Sequence, residues 1–372
     1  MDALTTSSNW QRVRLGDIAE IKRGASPRPI ENPKWFCANS NVGWVRISDI
    51  SKNSRFLYKT AQKLSKKGIE KSRLVKQNSL IMSMCATIGK PIITKIDTCI
   101  HDGFVVFENP KIDLNYLYYF LCYIEKEWLE SGQQGSQVNL NVDLIKNKEV
   151  FYPKDLNEQI AIANILSDVD RYLYSLDALI LKKESVKKAL SFELLSQRKR
   201  LKGFNQAWQR VRIGDIAEIK RGVRITKNEL DVFGKYPVVS GGVGFLGYTN
   251  NFNRYENTIT IAQYGTAGYV NFQKNKFWAN DICFCVYPNK DVIKNIFLYY
   301  FLKVNQNYLY EISNRNATPY SISKDKILDF EILLPPLNEQ IAIANILSAL
   351  DHEIISLKNK KRQFENIKKA LN

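Results

Sequence analysis

The chain repeats itself, and the repeat limits what it can fold into. WQRVRLGDIAEIKRG at 10–24 returns at 208–222 with one change, Leu15 to Ile213. LNEQIAIANILS at 156–167 returns unchanged at 337–348. Matches of this length are the mark of a duplication. The first block is displaced by 198 residues and the second by 181, so the material between the blocks differs in length. Residues 25–155 and 223–336 also share little sequence beyond punctuation. Each half is therefore a near-identical frame around a divergent centre. Two copies of one enzyme would keep their centres alike, whereas a scaffold presenting two different reading surfaces would not.

A helical pattern follows each LNEQ block. Leu166, Val169, Leu173, Leu176 and Ile180 step by three and four residues, and Leu347, Leu350, Ile354, Leu357 and Phe364 keep the same phase. This is the spacing of a coiled-coil seam. Asn157 and Asn338 are the expected N-caps, behind Pro153 and Pro335–Pro336. The first helix is expected to run to Leu201 and stop at Gly203; the second ends at Asn372 and, matched at the shared Lys-Lys-Ala-Leu, is about ten residues shorter. The centres read as mixed α/β, with strands in IITKIDTCI, DGFVVF, TITIAQY and YVNFQ. LNYLYYFLCYIEKEWL and NIFLYYFLKVNQNYLYEI read as helices whose aromatics belong to the core. The fold class is α/β (α+β), with a first domain over 1–155, a spacer helix over 156–202, a second domain over 203–336 and a C-terminal helix over 337–372.

Charge supplies the partner class. Lys and Arg number 54 against 37 acids, a formal net charge of +17, which points to a polyanion and first to nucleic acid. The start, MDALTTSSNW, has neither a basic n-region nor an apolar h-region, and no apolar run is long enough for a membrane span. The six cysteines form no CxxC pair and read as reduced core thiols, Cys37 being the least clear. A cytoplasmic location with no membrane partner is the expectation.

Catalytic constellations fail on their own terms. Gly242-Val-Gly244-Phe-Leu-Gly247 matches a dinucleotide fingerprint, but YTNNFN follows it and forms no helix to receive phosphates. His101 and His352 stand in different segments without zinc-ligand spacing, and Cys283-x-Cys285 has no further ligands. Glu20-x-Lys22 and Glu218-x-Lys220 look like half of a nuclease site, but Asp17 is too near to be the upstream acid. The expectation is no catalytic residue, no metal and no cofactor in this chain.

Polar, basic loops punctuated by glycine remain in both centres. Their side chains are the ones that pair with base edges and phosphates. In the first centre the candidates for DNA contact are Lys22, Arg23, Arg28, Trp44, Arg46, Ser136, Gln137 and Asn139. In the second they are Lys220, Arg221, Arg224, Tyr248, Gln263, Tyr264, Arg315, Thr318 and Tyr320. Arg28, Arg46 and Arg224 lead.

With frame and loops together, the sequence resembles the specificity subunit of type I restriction–modification enzymes over nearly its whole length. The carriers are the paired LNEQIAIANIL blocks, the two GDIAEIKRG openings, and GSQVNL (135–140) and ATPYSI (317–322) before the helices. The resemblance implies two target-recognition domains, each reading one half of a split, asymmetric site on double-stranded DNA. It implies an antiparallel pair of helices as spacer and docking surface for two methyltransferase subunits, which restriction subunits then join. Methyl donor and ATP belong to those partners. The short second helix departs from the pattern. A duplicated enzyme with a divergent site and a coiled-coil scaffold that binds no DNA stay open as alternatives; an activity assay and a salt-dependent affinity measurement separate them.

Overall fold

A computed structural model describes residues 9–53, 55–131, 140–316 and 318–371. The chain divides into two compact units, Met1–Tyr174 with Arg362–Asn372, and Ser175–Lys361. The long helices Leu156–Leu195 and Leu337–Leu371 do not stand apart as a separate body; each is divided between the two units.

In unit 1 the frame block forms strand Trp10–Arg14, a single helical turn Leu15–Ile18 and strand Glu20–Arg23. Trp10–Arg14 pairs antiparallel with Glu149–Pro153, from Trp10 opposite Pro153 to Arg14 opposite Glu149. Among the described residues, Glu20–Arg23 is the edge of a five-stranded sheet in the order Glu20–Arg23, Phe104–Glu108, Leu80–Ser83, Pro91–Thr94, Phe56–Leu57. Successive side chains of a strand point to opposite faces. Leu80, Met82, Val105 and Phe107 therefore pack with helix Leu114–Tyr123 through Leu117 and Leu121. Ile81, Phe104 and Val106 take the other face with Val45, Val75 and Ile100 of a second small sheet. Burial on both faces explains why DGFVVF reads as a nearly continuous apolar run.

Unit 2 repeats this plan with different side chains. Its main sheet runs Ala217–Arg221, Cys283–Pro288, Thr258–Ala262, Val270–Gln273, and strand Gln209–Arg212 pairs with Glu331–Leu334. Ile259, Ile261, Phe284 and Val286 face helix Asn295–Val304, while Cys283 and Cys285 pack on the other side with Val239, Phe277 and Ala279. The centres that differ in sequence are thus one scaffold in topology.

Several boundaries differ from the sequence reading. IITKIDTCI is not one strand. It splits into Pro91–Thr94 and Thr98–Ile100 in different sheets, because Asp97 turns the chain by accepting the Gln77 N–H and pairing with Lys76. The aromatic helices each break once, at Ile124 and at Asn305. The first long helix stops at Leu195 rather than Leu201: Gln197 turns left-handed, Ser196 bonds back to the Phe192 carbonyl, and Lys199 N–H closes on Glu193 O. With 40 and 35 residues, the helices differ by five residues rather than ten. Asp155 caps the first helix in place of Asn157, its Oδ1 accepting the Asn157 N–H at 3.0 Å. At the second, the Pro336 carbonyl accepts the N–H groups of Glu339 and Gln340, in place of an Asn338 cap.

The seam residues lie as their spacing predicts. Leu166, Leu176, Ile180, Leu347 and Ile354 are buried, and Val169, Leu173, Leu350, Leu357 and Phe364 are half-buried. In unit 1 the Phe364 ring meets Tyr172 at 4.5 Å. In unit 2 Asp177 pairs with Lys361 at 2.6 Å and Lys183 with Glu353 at 2.8 Å, so the helices run antiparallel there.

Candidate nucleic-acid interface

The two frames hold their loops in the same way. Arg23 Nε donates to the Asp102 carbonyl at 2.7 Å, and Arg221 Nε donates to the Asp281 carbonyl. A Cβ on Gly24 would fall 2.0 Å from the His101 oxygen, and one on Gly222 would fall 2.0 Å from the Asn280 oxygen. Only glycine lets the chain cross those carbonyls. This fixes where residues 24–29 and 222–228 leave the sheet, and it is why the frame blocks end in Lys-Arg-Gly.

A second matched pair of loops follows the central strands. Gly89 N–H closes on Ser83 O at 2.9 Å and Gly268 N–H on Ala262 O at 2.8 Å. Ala86 and Gly265 are both left-handed, as are Gly89 and Gly268. Leu140 N–H bonds to Met84 O at 3.0 Å and Ile322 N–H to Gln263 O at 2.9 Å. The backbone is the same, but Met84, Cys85 and Ala86 stand where unit 2 has Gln263, Tyr264 and Gly265. A common scaffold with exchanged side chains can present two different patterns of donors, acceptors and apolar groups.

In unit 2 the candidates converge. Tyr264 bridges to Ser321, Gly265 N–H donates to Tyr320 O at 3.1 Å, and the Arg315 guanidinium lies 5.1 Å from the Tyr320 ring and 5.2 Å from that of Tyr310. Thr318 and Tyr320 are exposed, and the Gln263 Oε1 is buried without a hydrogen-bond partner among the described residues. Arg224 and Tyr248 are exposed as well. Lys220 is exposed and paired with Glu218 at 3.1 Å.

In unit 1 the expected set thins. Arg46 is exposed, and Arg28 is exposed and paired with Asp102 at 3.0 Å. Trp44 is corrected: it is fully buried with Trp35, Leu64 and Cys99, because Gly43–Val45 is an interior strand of the second sheet. It cannot touch DNA without unfolding. Lys22 is held between Glu108 at 2.5 Å and Glu20 at 2.8 Å, hydrogen bonds that raise its pKa and offset its charge. Arg23 and Arg221 are committed to the frame carbonyls. Ser136, Gln137 and Asn139 lie outside the described residues.

His101 packs edge-on against Phe104, and its Nδ1 accepts the Gly103 N–H at 2.9 Å. Burial, helped by the Arg46 guanidinium, pushes its pKa down to about 4, so the imidazole stays neutral. It is a satisfied hydrogen-bonding group. Among the described residues no cluster of three or more His, Cys, Asp or Glu could hold a metal ion, and no helix is long and apolar enough to cross a membrane.

A family model for the type I restriction modification DNA specificity domain matches residues 7–183 and again residues 205–366. The chain belongs to that family. It is 23% identical over 91% of its length to the Escherichia coli type I restriction enzyme EcoprrI specificity subunit, of which 86% is covered. It is 26% identical over 98% of its length to a putative type I restriction enzyme MjaX specificity subunit of Methanocaldococcus jannaschii, of which 92% is covered. The fold matches a type I restriction–modification S subunit from M. genitalium with a TM-score of 0.71, at 17% identity, covering 100% of this chain and 96% of that one.

Placed in this family, the chain shows residues that its motifs did not flag. Tyr119 donates to Asp170 Oδ2 at 3.0 Å, and Asp170 pairs with Lys368 at 2.5 Å. Tyr300 donates to Asp351 Oδ2 at 2.7 Å, and Asp351 pairs with Lys187. Each long helix gives an aspartate to one clasp and a lysine to the other. Arg55 adds a third tie in unit 1, from its guanidinium to Tyr119, Asn115 and Ser167. The Gln of each LNEQ block is buried and does matching work: Gln159 bonds Pro153 O and Asp113 N–H, and Gln340 bonds Pro335 O and Lys294 N–H. These contacts explain why the blocks are identical while the loops differ.

Proposed function

We propose that this chain is the sequence-reading subunit of a type I restriction–modification assembly, with each unit reading one half of a split, asymmetric site on double-stranded DNA. The two long helices dock two methyltransferase subunits, restriction subunits join through them, and helix length sets the unread gap. Methyl donor and ATP are bound by the partners, and this chain takes no chemical step. The observation that carries the reading is the pair of matched loops, Ser83–Gly89 and Ala262–Gly268, with one backbone and different side chains. A formal charge of +17 supports the polyanion as partner.

The test is binding of the chain and its methyltransferase subunits to duplex DNA across a salt series. Release of condensed counterions makes affinity fall steeply between about 50 and 200 mM salt. Affinity that is flat over that range removes DNA as the partner. Removing the Arg46 or Arg224 guanidinium should weaken binding by about 1–3 kcal/mol if it contacts a base edge, with the loss confined to one position of the site.

A further inference from the structure

Glycine-rich segment 241–247 runs into strand Gly247–Thr249 and not into a helix, and its structure points to another use than phosphate binding. Both ends are fixed. Thr266 donates to the Gly241 carbonyl from N at 2.9 Å and from Oγ1 at 2.6 Å, and Leu246 N–H bonds to Val238 O at 2.9 Å. Between these anchors the chain is bare. Val243 is 61% exposed, Phe245 50% and Leu246 41%.

The glycines here are not needed by the fold. A Cβ on Gly244 would meet nothing within 4 Å, and one on Gly242 would come no closer than 3.7 Å to any atom. Neither residue is left-handed. A position where the free chain tolerates any side chain, yet carries none, suits close approach of its backbone to something outside the chain. The surroundings say what. Gly241 sits against Tyr264, since a Cβ there would fall 2.2 Å from the Tyr264 oxygen, and Tyr264 leads on to Tyr320 and Arg315. Segments 240–251, 262–269 and 313–323 contain no Asp or Glu at all. Asp231 accepts from Asn250 just beyond the loop, but the apolar tip itself, in a chain of formal net charge +17, fits a nucleic acid better than a protein interface of mixed charge. Apolar side chains enter DNA grooves against thymine methyls or wedge between base steps.

We infer that this loop is a second reading element of unit 2, which enters a groove of duplex DNA. Phe245 and Val243 lie against the bases, and the peptide at Gly242 and Gly244 lies against the sugar–phosphate backbone. The inference rests on the DNA-reading function proposed above. Its experiment uses the full chain assembled with its methyltransferase subunits and a duplex carrying the site returned by methylation mapping. The double variant Gly242→Val, Gly244→Val should melt with the parent and assemble normally, while affinity for that duplex falls about tenfold or more, the scale of one lost base contact. Affinity within twofold of the parent overturns the inference. A photo-crosslinking p-benzoylphenylalanine in place of Phe245, with a second placed in place of Tyr320, separates the two claims. Crosslinks to DNA from both positions support the loop as a reader. DNA at 320 with methyltransferase or nothing at 245 overturns this inference and leaves the DNA reading standing. No DNA at either position overturns both.

Discussion

Tyr300 donates its hydroxyl to Asp351 at 2.7 Å, and Asp351 is held in turn by Lys187. The relationship recurs as Tyr119, Asp170 and Lys368. In each unit it ties the aromatic helix of a variable domain to both long helices at once, and each tyrosine hydroxyl is held protonated well above its usual range, first by burial and then by the aspartate. A hydrogen bond to a charged acceptor contributes about 1.5–3 kcal/mol. Tyr300→Phe keeps the ring and removes only the donor, so unit 2 should lose stability of about that size. Hydrogen exchange of amides in helix Asn295–Val304 along a denaturant series measures it. A loss below about 0.3 kcal/mol would mean that the clasp does not hold the domain to the helices.

Glu339 is fully buried, with both carboxylate oxygens taken: Arg200 Nε donates to Oε1 at 3.1 Å, and Arg200 Nη2 and Trp208 Nε1 donate to Oε2 at 2.6 and 3.0 Å. Breaking such a pair leaves a poorly compensated charge. Glu339→Gln should destabilise unit 2 measurably, because it leaves the partly exposed Arg200 without its carboxylate. Glu331→Gln, which removes an exposed partner of Arg210, should cost under about 1 kcal/mol. Equal effects of the two in thermal or urea denaturation would contradict the burial argument.

His101 predicts a direction with pH. Its folded pKa is about 4, below the ordinary value of 6.5. Between those two values the unfolded chain binds the proton and the folded chain does not, so stability falls as pH drops through that window and is unaffected above it. The slope approaches about 1.4 kcal/mol per pH unit from this group alone. The NMR titration is direct because the chain has only two histidines. In a His352→Gln background the remaining imidazole should stay neutral at pH 5.5; a midpoint near 6.5 would show that the site is open to water.

The frame was legible in the sequence because duplication is a sequence property, and the seam was legible because burial along a helix has a period. The helix end was not. Gln197 takes a left-handed turn that its residue type does not announce, whereas the glycine at 203 drew the expectation too far. Trp44 was misplaced because a tryptophan in the short stretch Gly43-Trp-Val-Arg46 looks the same in a loop and on an interior strand until its neighbours in space are known. The clasps were within reach. Leu-Tyr-Tyr-Phe-Leu occurs at 117–121 and again at 298–302, at the same 181-residue offset as the LNEQ blocks, and that offset pairs Tyr119 with Tyr300 in the centres and Asp170 with Asp351 on the long helices. The matched loops at 83–89 and 262–268 were harder to pair, because only Thr87/Thr266 and Gly89/Gly268 are shared and hydrogen-bond closure is what aligns the rest.

The central claim is that each unit reads its own half-site on a common scaffold. Replacing residues 25–155 with the centre of another family member leaves the frame blocks, both long helices and unit 2 as they are. Genome-wide mapping of methylated positions in a host carrying the chimaera and its methyltransferase should return a site altered in one half only, with the gap and the other half retained. A site altered in both halves would contradict independent reading.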